Sequence, residues 1–409
     1  ATPANGKYQN TPSTLKRPGD QAFALGINRF VFHHYTHQPV TSAAPGFALG
    51  RYGSHFGRLN TWWPYADGWI RYLARCQFLL QQGRTVADAC VLVEEDTGYG
   101  FPSKMANIVP GYDFNACSPL DLRSMSFRDG RLVHPQGQSY GLLILPKEWV
   151  AELPTLRHLR KLVQAGAAIL GEPPTAPAGL RDVQAREEFD LLAAELWSGM
   201  DGATDKSGKV GAGAVYRNLE PTDVLQQCGL ASDLSWEPDG ADFKFLHRAT
   251  GNADIYFVFS DSATPVRADL QFRQRDRRPE IWDAATGAHA DAPIFAARAG
   301  GTFVPIQFEP WGSVFVIFRK PLPKRWITAA TPSNLELRDG KILAVGQSVV
   351  VSLSDGGTQT VSLAARPADI TLRRSWAVSF TDGRGAPQRA VFERLVSWPQ
   401  HSNPGIRYY

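Results

Sequence analysis

Histidine, amide and indole side chains are concentrated near the start of the 409-residue chain. Four of the nine histidines lie between residues 33 and 55, and two adjacent tryptophans follow them. Imidazoles and amides can hydrogen-bond the hydroxyls of a sugar, and an indole ring can stack on its C–H face. The alternative is a strand end whose histidines bond to backbone and whose tryptophans belong to the core. The candidate ligand-binding residues are His33, His34, His37, His55, Asn60, Trp62 and Trp63.

The apolar run before these histidines predicts a buried strand at residues 30–33 whose carboxyl end opens into a polar pocket. Folds of the α/β class place their chemistry at such strand ends. Because alternate residues of a strand share a face, residues 33, 35 and 37 point one way and His34 the other. His33 and His37 are therefore better candidates than His34. Their spacing could also suggest zinc, but a strand end before Pro39 is an unusual place for such a pair.

Two helices are predicted to flank this strand. Residues 13–25 form one, stopped by Gly26 and distorted near Pro18, and apolar residues at helical spacing predict another over 62–82. The order helix, strand, loop, helix is that of the end of a (β/α)8 barrel. A whole barrel needs roughly 250 residues, so either this unit packs in another way or residues 1–83 are the C-terminal part of a barrel, which is the interpretation adopted.

A second α/β unit begins with an apolar strand over residues 87–96 and continues with strands at 141–146 and 167–171 and a helix at 153–164. Strands separated by helices predict a parallel, doubly wound sheet. Its chemical options are limited, because Cys90 lies within a strand and Cys117 lacks a sharp glycine-flanked turn. A structural or oligomerising role is favoured over catalysis. A small-molecule site at Glu94, Glu95 and Asp96 is the remaining alternative.

From about residue 243 the chain changes to short alternating strands separated by turn residues, which is typical of a β-sandwich. The predicted fold class is α/β plus β: the end of a (β/α)8 barrel, a Rossmann-like α/β domain, then β-sandwich domains. The predicted boundaries are 1–83 for the barrel part, 84–232 for the Rossmann-like domain, 233–321 for a β-sandwich and 322–409 for a β-rich segment leading into a truncated β-sandwich.

Composition limits the classes of partner. A formal charge of +4 with 20% charged residues is too weak to indicate nucleic acid or a membrane surface, and no window approaches eighteen apolar residues. The four cysteines have no C-x-x-C spacing, which leaves the compartment open. Residues 1–7 lack the features of a signal peptide, so an export signal is expected outside this sequence.

Several motifs together resemble glycoside hydrolase family 106, the α-L-rhamnosidases. The two most specific carriers are residues 22–39, which include the histidine-rich run, and residues 53–63, which include His55 and the tryptophan pair. Supporting matches lie at residues 72–77, 110–113, 310–316, 395–398 and 404–408. The resemblance extends over nearly the whole chain.

The resemblance implies an inverting glycosidase that releases terminal L-rhamnose from glycosides or polysaccharides, with calcium near the rhamnose. Inversion needs two carboxyl groups roughly 6.5–9.5 Å apart. The family's catalytic glutamates match no position here, so we expect the catalytic residues and the calcium ligands to lie before Ala1 and assign none within the chain. The seven candidates then line the rhamnose site. The alternative is a non-catalytic carbohydrate-binding or assembly module of a larger glycosidase. A periplasmic or extracellular location is expected, and a homo-oligomer is left open.

Overall fold

The structure is a computed structural model that describes residues 8–42, 47, 53–93, 109–179, 185–198, 200, 207–238, 240–332, 336–338, 341–343, 348–362, 370–407 and 409. The chain divides into two compact units. One comprises Ala1–Ala344 and Val349–Val361, and the other comprises Val345–Ser348 and Ser362–Tyr409.

The helices of the described chain are α1 Pro12–Ala24, α2 Asp67–Leu80, α3 Pro119–Ser124, α4 Leu153–Ala165, α5 Arg186–Leu196, α6 Pro221–Gln227 and α7 Pro404–Arg407. Thr11 caps α1 by accepting the backbone N–H of Thr14, and α1 continues through Pro18 without a break. A short 3-10 turn at Trp63–Tyr65 precedes α2. The predicted helices at 13–25, 62–82 and 153–164 are thus confirmed, with small differences at their ends.

A six-stranded sheet forms the centre of the α/β layer, in the order β11-β12-β9-β7-β2-β3. All its neighbours are parallel except β11 with β12. The three strands predicted at 87–96, 141–146 and 167–171 are confirmed as the parallel neighbours β2, β7 and β9, whereas β3 and β12 were not predicted from the sequence. The strands of this part of the chain are β1 Arg84–Thr85, β2 Ala89–Leu92, β3 Phe114–Cys117, β4 Ser126–Arg128, β5 Arg131–Val133, β6 Ser139–Tyr140, β7 Leu142–Ile144, β8 Val150–Ala151, β9 Ala168–Leu170, β10 Ala176–Pro177, β11 Ser207–Val210 and β12 Gly213–Tyr216.

Helices cover both faces of this sheet. On one face, Leu156 and Leu159 of α4 and Phe189 of α5 are buried in the same cluster as Ile169 of β9. On the other face, Val224 and Leu225 of α6 belong to a second cluster with Val91 and Ile144. A sheet buried on both sides explains why its strands are nearly uniformly apolar.

Two antiparallel sheets share the next core. One has the order β1-β14-β15-β21-β17-β18 and the other β13-β16-β20-β19. Residues 84–85, which the sequence assigned to the α/β domain, thus belong to the first of these sheets. The additional strands are β13 Leu234–Glu237, β14 Phe243–Ala249, β15 Asp254–Ser260, β16 Val266–Phe272, β17 Arg277–Trp282, β18 His289–Asp291, β19 Ala296–Arg298, β20 Gly301–Phe308 and β21 Ser313–Pro321.

Helices α1 and α2 lie against the outer face of the larger antiparallel sheet. Phe23 of α1 and Cys76 and Leu80 of α2 share a cluster with Phe257 and Phe315 of the sheet. The first 83 residues therefore pack on β strands that follow them in the chain. The fold is mixed α/β with several sheets, and the barrel and β-sandwich interpretations and the domain boundaries stay predictions.

One buried carboxylate joins these two helices to the sheet. Lys16 pairs with Asp20 within α1, and the hydroxyl of Tyr72 in α2 donates to the same carboxylate. Ser313 at the start of β21 lies 3.1 Å from both Lys16 Nζ and the Tyr72 hydroxyl. Burial raises the pKa of Asp20 although Lys16 opposes that change. The buried Asp20 carboxylate of α1 is thus hydrogen-bonded by α2, and its partners Lys16 and Tyr72 contact the start of β21.

The C-terminal strands are shorter. They are β22 Ile327–Thr331, β23 Glu336–Arg338, β24 Lys341–Leu343, β25 Ser348–Leu353, β26 Thr358–Ser362, β27 Trp376–Ser379 and β28 Arg389–Phe392. In the second unit, β27 and β28 form an antiparallel pair, and a small core contains Phe380, Phe392 and Ile406 of α7.

A chain of buried charges connects the α/β layer to the antiparallel sheets. Asp88, just before β2, accepts from Arg131 at 3.0 Å and from Arg273 at 2.8 Å. Arg273 also lies 3.4 Å from Asp233, which precedes β13. Asp233 in turn lies 2.8 Å from Nδ1 of His247 in β14. Five residues from separate parts of the sequence thus meet in one network.

His247 is held between two carboxylates. Its Nε2 lies 3.1 Å from Asp254, opposite the contact with Asp233. Burial lowers the pKa of His247, but the two carboxylates outweigh burial and raise that pKa to about 9. The imidazolium therefore contributes stability that is fully present below the ordinary histidine pKa of about 6.5 and is lost as the pH rises towards 9.

We expect His247→Ala to lower the free energy of unfolding by about 3–5 kcal/mol, because two carboxylates would lose their buried cation. Urea unfolding at pH 6.5 measures this effect. The exposed His37 supplies the control, and His37→Ala should change stability by less than about 0.5 kcal/mol. The unmodified chain should also lose stability between pH 6.5 and pH 9. Equal stabilities of the two variants would contradict the assigned role.

Candidate functional site

The predicted ligand-binding residues come together in the described part of residues 8–65. The Asn60 amide donates to the carbonyl of His55, and Trp62 Nε1 donates to the carbonyl of Asn10 at 2.9 Å. The Asn10 amide donates to Ser54 Oγ at 3.1 Å. His55 and Asn60 are only 7% and 4% exposed. Their first role is therefore to hold the loop between the histidine run and α2.

Three imidazoles form a row in this cluster. The rings of His33 and His34 have centroids 5.2 Å apart, and so do those of His34 and His55. Burial, with the neighbouring His55 and His33, lowers the pKa of His34. His34 Nδ1 is buried and has no hydrogen-bond partner within the described chain. The lowered pKa favours the neutral imidazole of His34, whose Nδ1 has no partner among the described residues.

Aromatic rings continue the row. Trp63 packs against Tyr35 with centroids 5.5 Å apart and against Phe56 at 6.3 Å. Trp62 lies 5.8 Å from Trp63. Both tryptophans are half-buried, while Tyr35 is 65% exposed. The cluster thus has an inner framework and an outer edge that reaches solvent.

Tyr35 and Phe56 were not among the site candidates from the sequence. The structure places both against Trp63, and their backbones form an isolated parallel bridge. The signal that could have identified Tyr35 is its position between His33 and His37 on the same predicted face.

The predicted buried strand at residues 30–33 is wrong. Val31 is 91% exposed and Phe32 is 43% exposed, and no strand is formed there. A buried parallel strand needs hydrogen-bonding neighbours on both sides. Among the described residues, the backbone of this run bonds to the Gln77 side chain through Phe30 N–H and to the backbone of Ser54, which accepts from His34 and donates to His33.

The extended alternation predicted for the histidines is nevertheless visible. Residues 33, 35 and 37 are exposed, whereas residues 34, 36 and 38 are half-buried. His33 and His37 are thus accessible to solvent, although no strand forms over these residues. The half-buried His34 ring lies beside the rings of His33 and His55.

The space beside the cluster is small. A cavity of about 10 Å³ is lined by Tyr8, His55, Phe56 and neighbouring residues. This volume is about that of a single water molecule. The part of the cluster that the structure describes cannot enclose a monosaccharide by itself, and a sugar would have to lie on its exposed edge.

Other reactive groups do not form a second site of the expected kinds. No group of three or more histidine, cysteine or acidic residues suited to a metal ion occurs in the described chain. The neighbouring Cys117 thiol and burial both raise the pKa of Cys90, which makes Cys90 a poor nucleophile. Glu94, Glu95 and Asp96 lie outside the described residues. None of the described helices is long and apolar enough to cross a membrane.

A family model described as alpha-L-rhamnosidase, glycoside hydrolase family 106, matches residues 1–295. The chain belongs to this family. The motifs at residues 22–39 and 53–63, on which the resemblance was based, both lie within the matched range. The predicted family is thereby confirmed.

Two relatives are similar to most of this chain. The chain resembles the rhamnosidase from Novosphingobium sp. PP1Y with a TM-score of 0.79 and 28% identity, over 98% of this chain and 35% of that one. It is 34% identical over 340 residues to a Formosa agariphila protein named "Putative beta-glucuronidase", a match covering 81% of this chain and 27% of the relative. The family 106 chain thus spans roughly a third or less of the length of these relatives.

Gly53 determines how closely the loop approaches His33. Its φ is +81°, and an added Cβ would lie 2.4 Å from the His33 carbonyl oxygen and 2.5 Å from His33 Nδ1. We expect Gly53→Ala to displace His33 and to lower the melting temperature. A shift of the His33 imidazole resonances in NMR spectra would report the displacement.

Gly26→Ala is the matched control. Gly26 has a similar φ of +94° but no atom within 4 Å of an added Cβ. Both substitutions carry the cost of a left-handed alanine, about 1–2 kcal/mol, and only Gly53→Ala adds a collision. Equal destabilisation with unchanged His33 resonances in both variants would refute the role given to Gly53.

Proposed function

We propose that this chain is part of an inverting α-L-rhamnosidase that releases terminal L-rhamnose from glycosides or polysaccharides. The observation that carries the proposal is the family match over residues 1–295, which includes the whole histidine and tryptophan cluster. The rhamnosidase from Novosphingobium, similar over 98% of this chain, supports the same activity.

In this proposal the exposed edge of the cluster holds the sugar. His33 and His37 face outward and can donate or accept hydrogen bonds with rhamnose hydroxyls. Tyr35, packed on Trp63, offers an aromatic face for the C–H side of the ring. His34, His55 and Asn60 then hold this edge in place from the inside.

We propose that the acid and the base come from residues outside 1–409. Asp20 and Asp67 are the only acidic residues in 1–82. Asp20 is buried against Lys16 and Tyr72, and Asp67 pairs with Arg71 at 3.0 Å on the surface of α2. Neither can protonate a leaving group at the cluster.

Calcium is implied by the family, but the described residues of the cluster do not suit it. The groups there are imidazoles, amides and aromatic rings, whereas calcium prefers several carboxylate and carbonyl oxygens. We propose that its ligands also lie outside this chain, and no step at these residues involves it.

Exposed apolar side chains indicate that another part of the protein packs on this region. Ile27, Val31, Phe32, Ile70 and Phe78 are all more than a third exposed, on the histidine run and on α2. Large exposed apolar side chains in one part of a protein indicate a surface that packs against something else. We propose that the remainder of a (β/α)8 barrel covers it in the longer protein.

The name of the Formosa relative favours a second candidate activity, the hydrolysis of β-glucuronides. The two candidates are distinguished by assaying 4-nitrophenyl α-L-rhamnoside and 4-nitrophenyl β-D-glucuronide side by side with the longer protein. Preferential turnover of the glucuronide would overturn the rhamnosidase proposal.

We expect the 409-residue chain alone to hydrolyse neither aryl glycoside, because its described residues supply no acid and base pair at the cluster. Hydrolysis of the rhamnoside by this chain would contradict that placement. Rhamnose binding without hydrolysis even by the longer protein would favour the carbohydrate-binding module instead.

In the longer protein, His37→Ala should lower kcat/KM for the rhamnoside by about ten- to a thousand-fold, the range for losing an oriented hydrogen bond at a reacting sugar. His289→Ala is the control, since His289 is also exposed but packs at a tilt against Trp282 of the antiparallel sheet. Unchanged kcat/KM for His37→Ala would assign that residue no part in binding.

A further inference from the structure

The proposed function leaves unused a cavity of about 590 Å³ beside the charged network. It lies where strand β1 meets the small β4-β5-β6 sheet. Its polar lining comprises Arg84, Thr85, Arg131, Gln138, Ser139 and Thr250. The volume falls within the range of sites for small ligands.

The cavity has an excess of positive charge. Within the described chain, Arg84 has no carboxylate within ion-pair distance, and its guanidinium donates only to the carbonyl of Gly137 at 3.3 Å. Arg131 does contact Asp88, but Asp88 also accepts from Arg273. One carboxylate thus serves two guanidinium groups. An oxyanion is the ligand group that arginine recognises best.

Both arginines are positioned by their surroundings. Arg131 donates to the backbone oxygen of Ser139 at 3.0 Å and to its hydroxyl at 3.1 Å. Gly137 has a φ of +91°, and an added Cβ there would lie 2.2 Å from Arg84 Nη1. The turn can therefore approach the Arg84 guanidinium closely only because residue 137 is glycine.

Gln138 requires a hydrogen-bond donor from the ligand. Its Oε1 is buried without a hydrogen-bond partner in the described structure. A simple anion has no proton to donate to this oxygen, whereas a sugar hydroxyl does. The lining therefore suits a molecule that carries both an oxyanion and hydroxyl groups.

We propose that this cavity binds an acidic sugar unit of a glycan, with its carboxylate or sulfate between Arg84 and Arg131 and a hydroxyl donating to Gln138. The proposal goes beyond the proposed function, because it depends only on residues of this chain and holds whether or not the longer protein cleaves rhamnosides.

Isothermal titration of the 409-residue chain with four probes tests the proposal: D-glucuronate, D-glucose 6-sulfate, D-glucose and inorganic sulfate. We expect one or both acidic sugars to bind at least about ten-fold more tightly than glucose and than inorganic sulfate. Comparison of glucuronate with glucose 6-sulfate identifies which oxyanion is preferred. Raising the salt concentration should weaken binding.

Arg84→Gln should weaken binding of the acidic sugars by about ten-fold or more, while Arg128→Gln should leave it unchanged. Arg128 is a matched control, because it is an exposed arginine in the same small sheet whose side chain contacts the hydroxyl of Ser126. Gln138→Leu should weaken the acidic sugars but not inorganic sulfate. Circular dichroism confirms that each variant is folded.

Absence of saturable binding by both acidic sugars would overturn the proposal. Equal affinity for glucose would also overturn it, because the oxyanion would then contribute nothing to binding. Equal affinity for inorganic sulfate would do the same, because the sugar would then contribute nothing. Equal effects of Arg84→Gln and Arg128→Gln would show that net charge rather than the cavity determines binding.

Discussion

The buried chain of charges from Asp88 through Arg273 and Asp233 to His247 is the constraint on which the first unit depends. Asp88, Asp233 and His247 are almost fully removed from water, and a buried charge without its partner is costly. The segment before β2, the strand β14 and the ends of β13 and β16 must therefore keep fixed positions. This network holds the parallel sheet and the antiparallel sheets in a defined arrangement.

The histidine and tryptophan cluster depends on this arrangement indirectly. Helices α1 and α2, which flank the cluster in sequence, pack on the outer face of the antiparallel sheet whose β14 carries His247. The buried Asp20 fixes the two helices to each other and to β21. The proposed sugar-binding edge lies on loops, and these two helices connect it to the packed antiparallel sheet.

The same network also forms one wall of the cavity with excess positive charge. Asp88 holds Arg131 at the lining while sharing its own charge with Arg273. A structural ion pair thus leaves part of a guanidinium available to a ligand. The family assignment and this cavity rest on different residues, since the motifs of the family lie mainly around residues 22–63.

The sequence by itself determined the helices α1, α2 and α4, the parallel strands β2, β7 and β9 and the family, because these follow from local apolar periodicity and from short motifs. The tertiary structure alone decided that residues 30–33 are exposed and that residues 84–85 pair with β14, because strand pairing depends on neighbours distant in sequence. It alone brought Asp88, Asp233, His247 and Arg273 together, since no local pattern relates charges that are up to 185 residues apart.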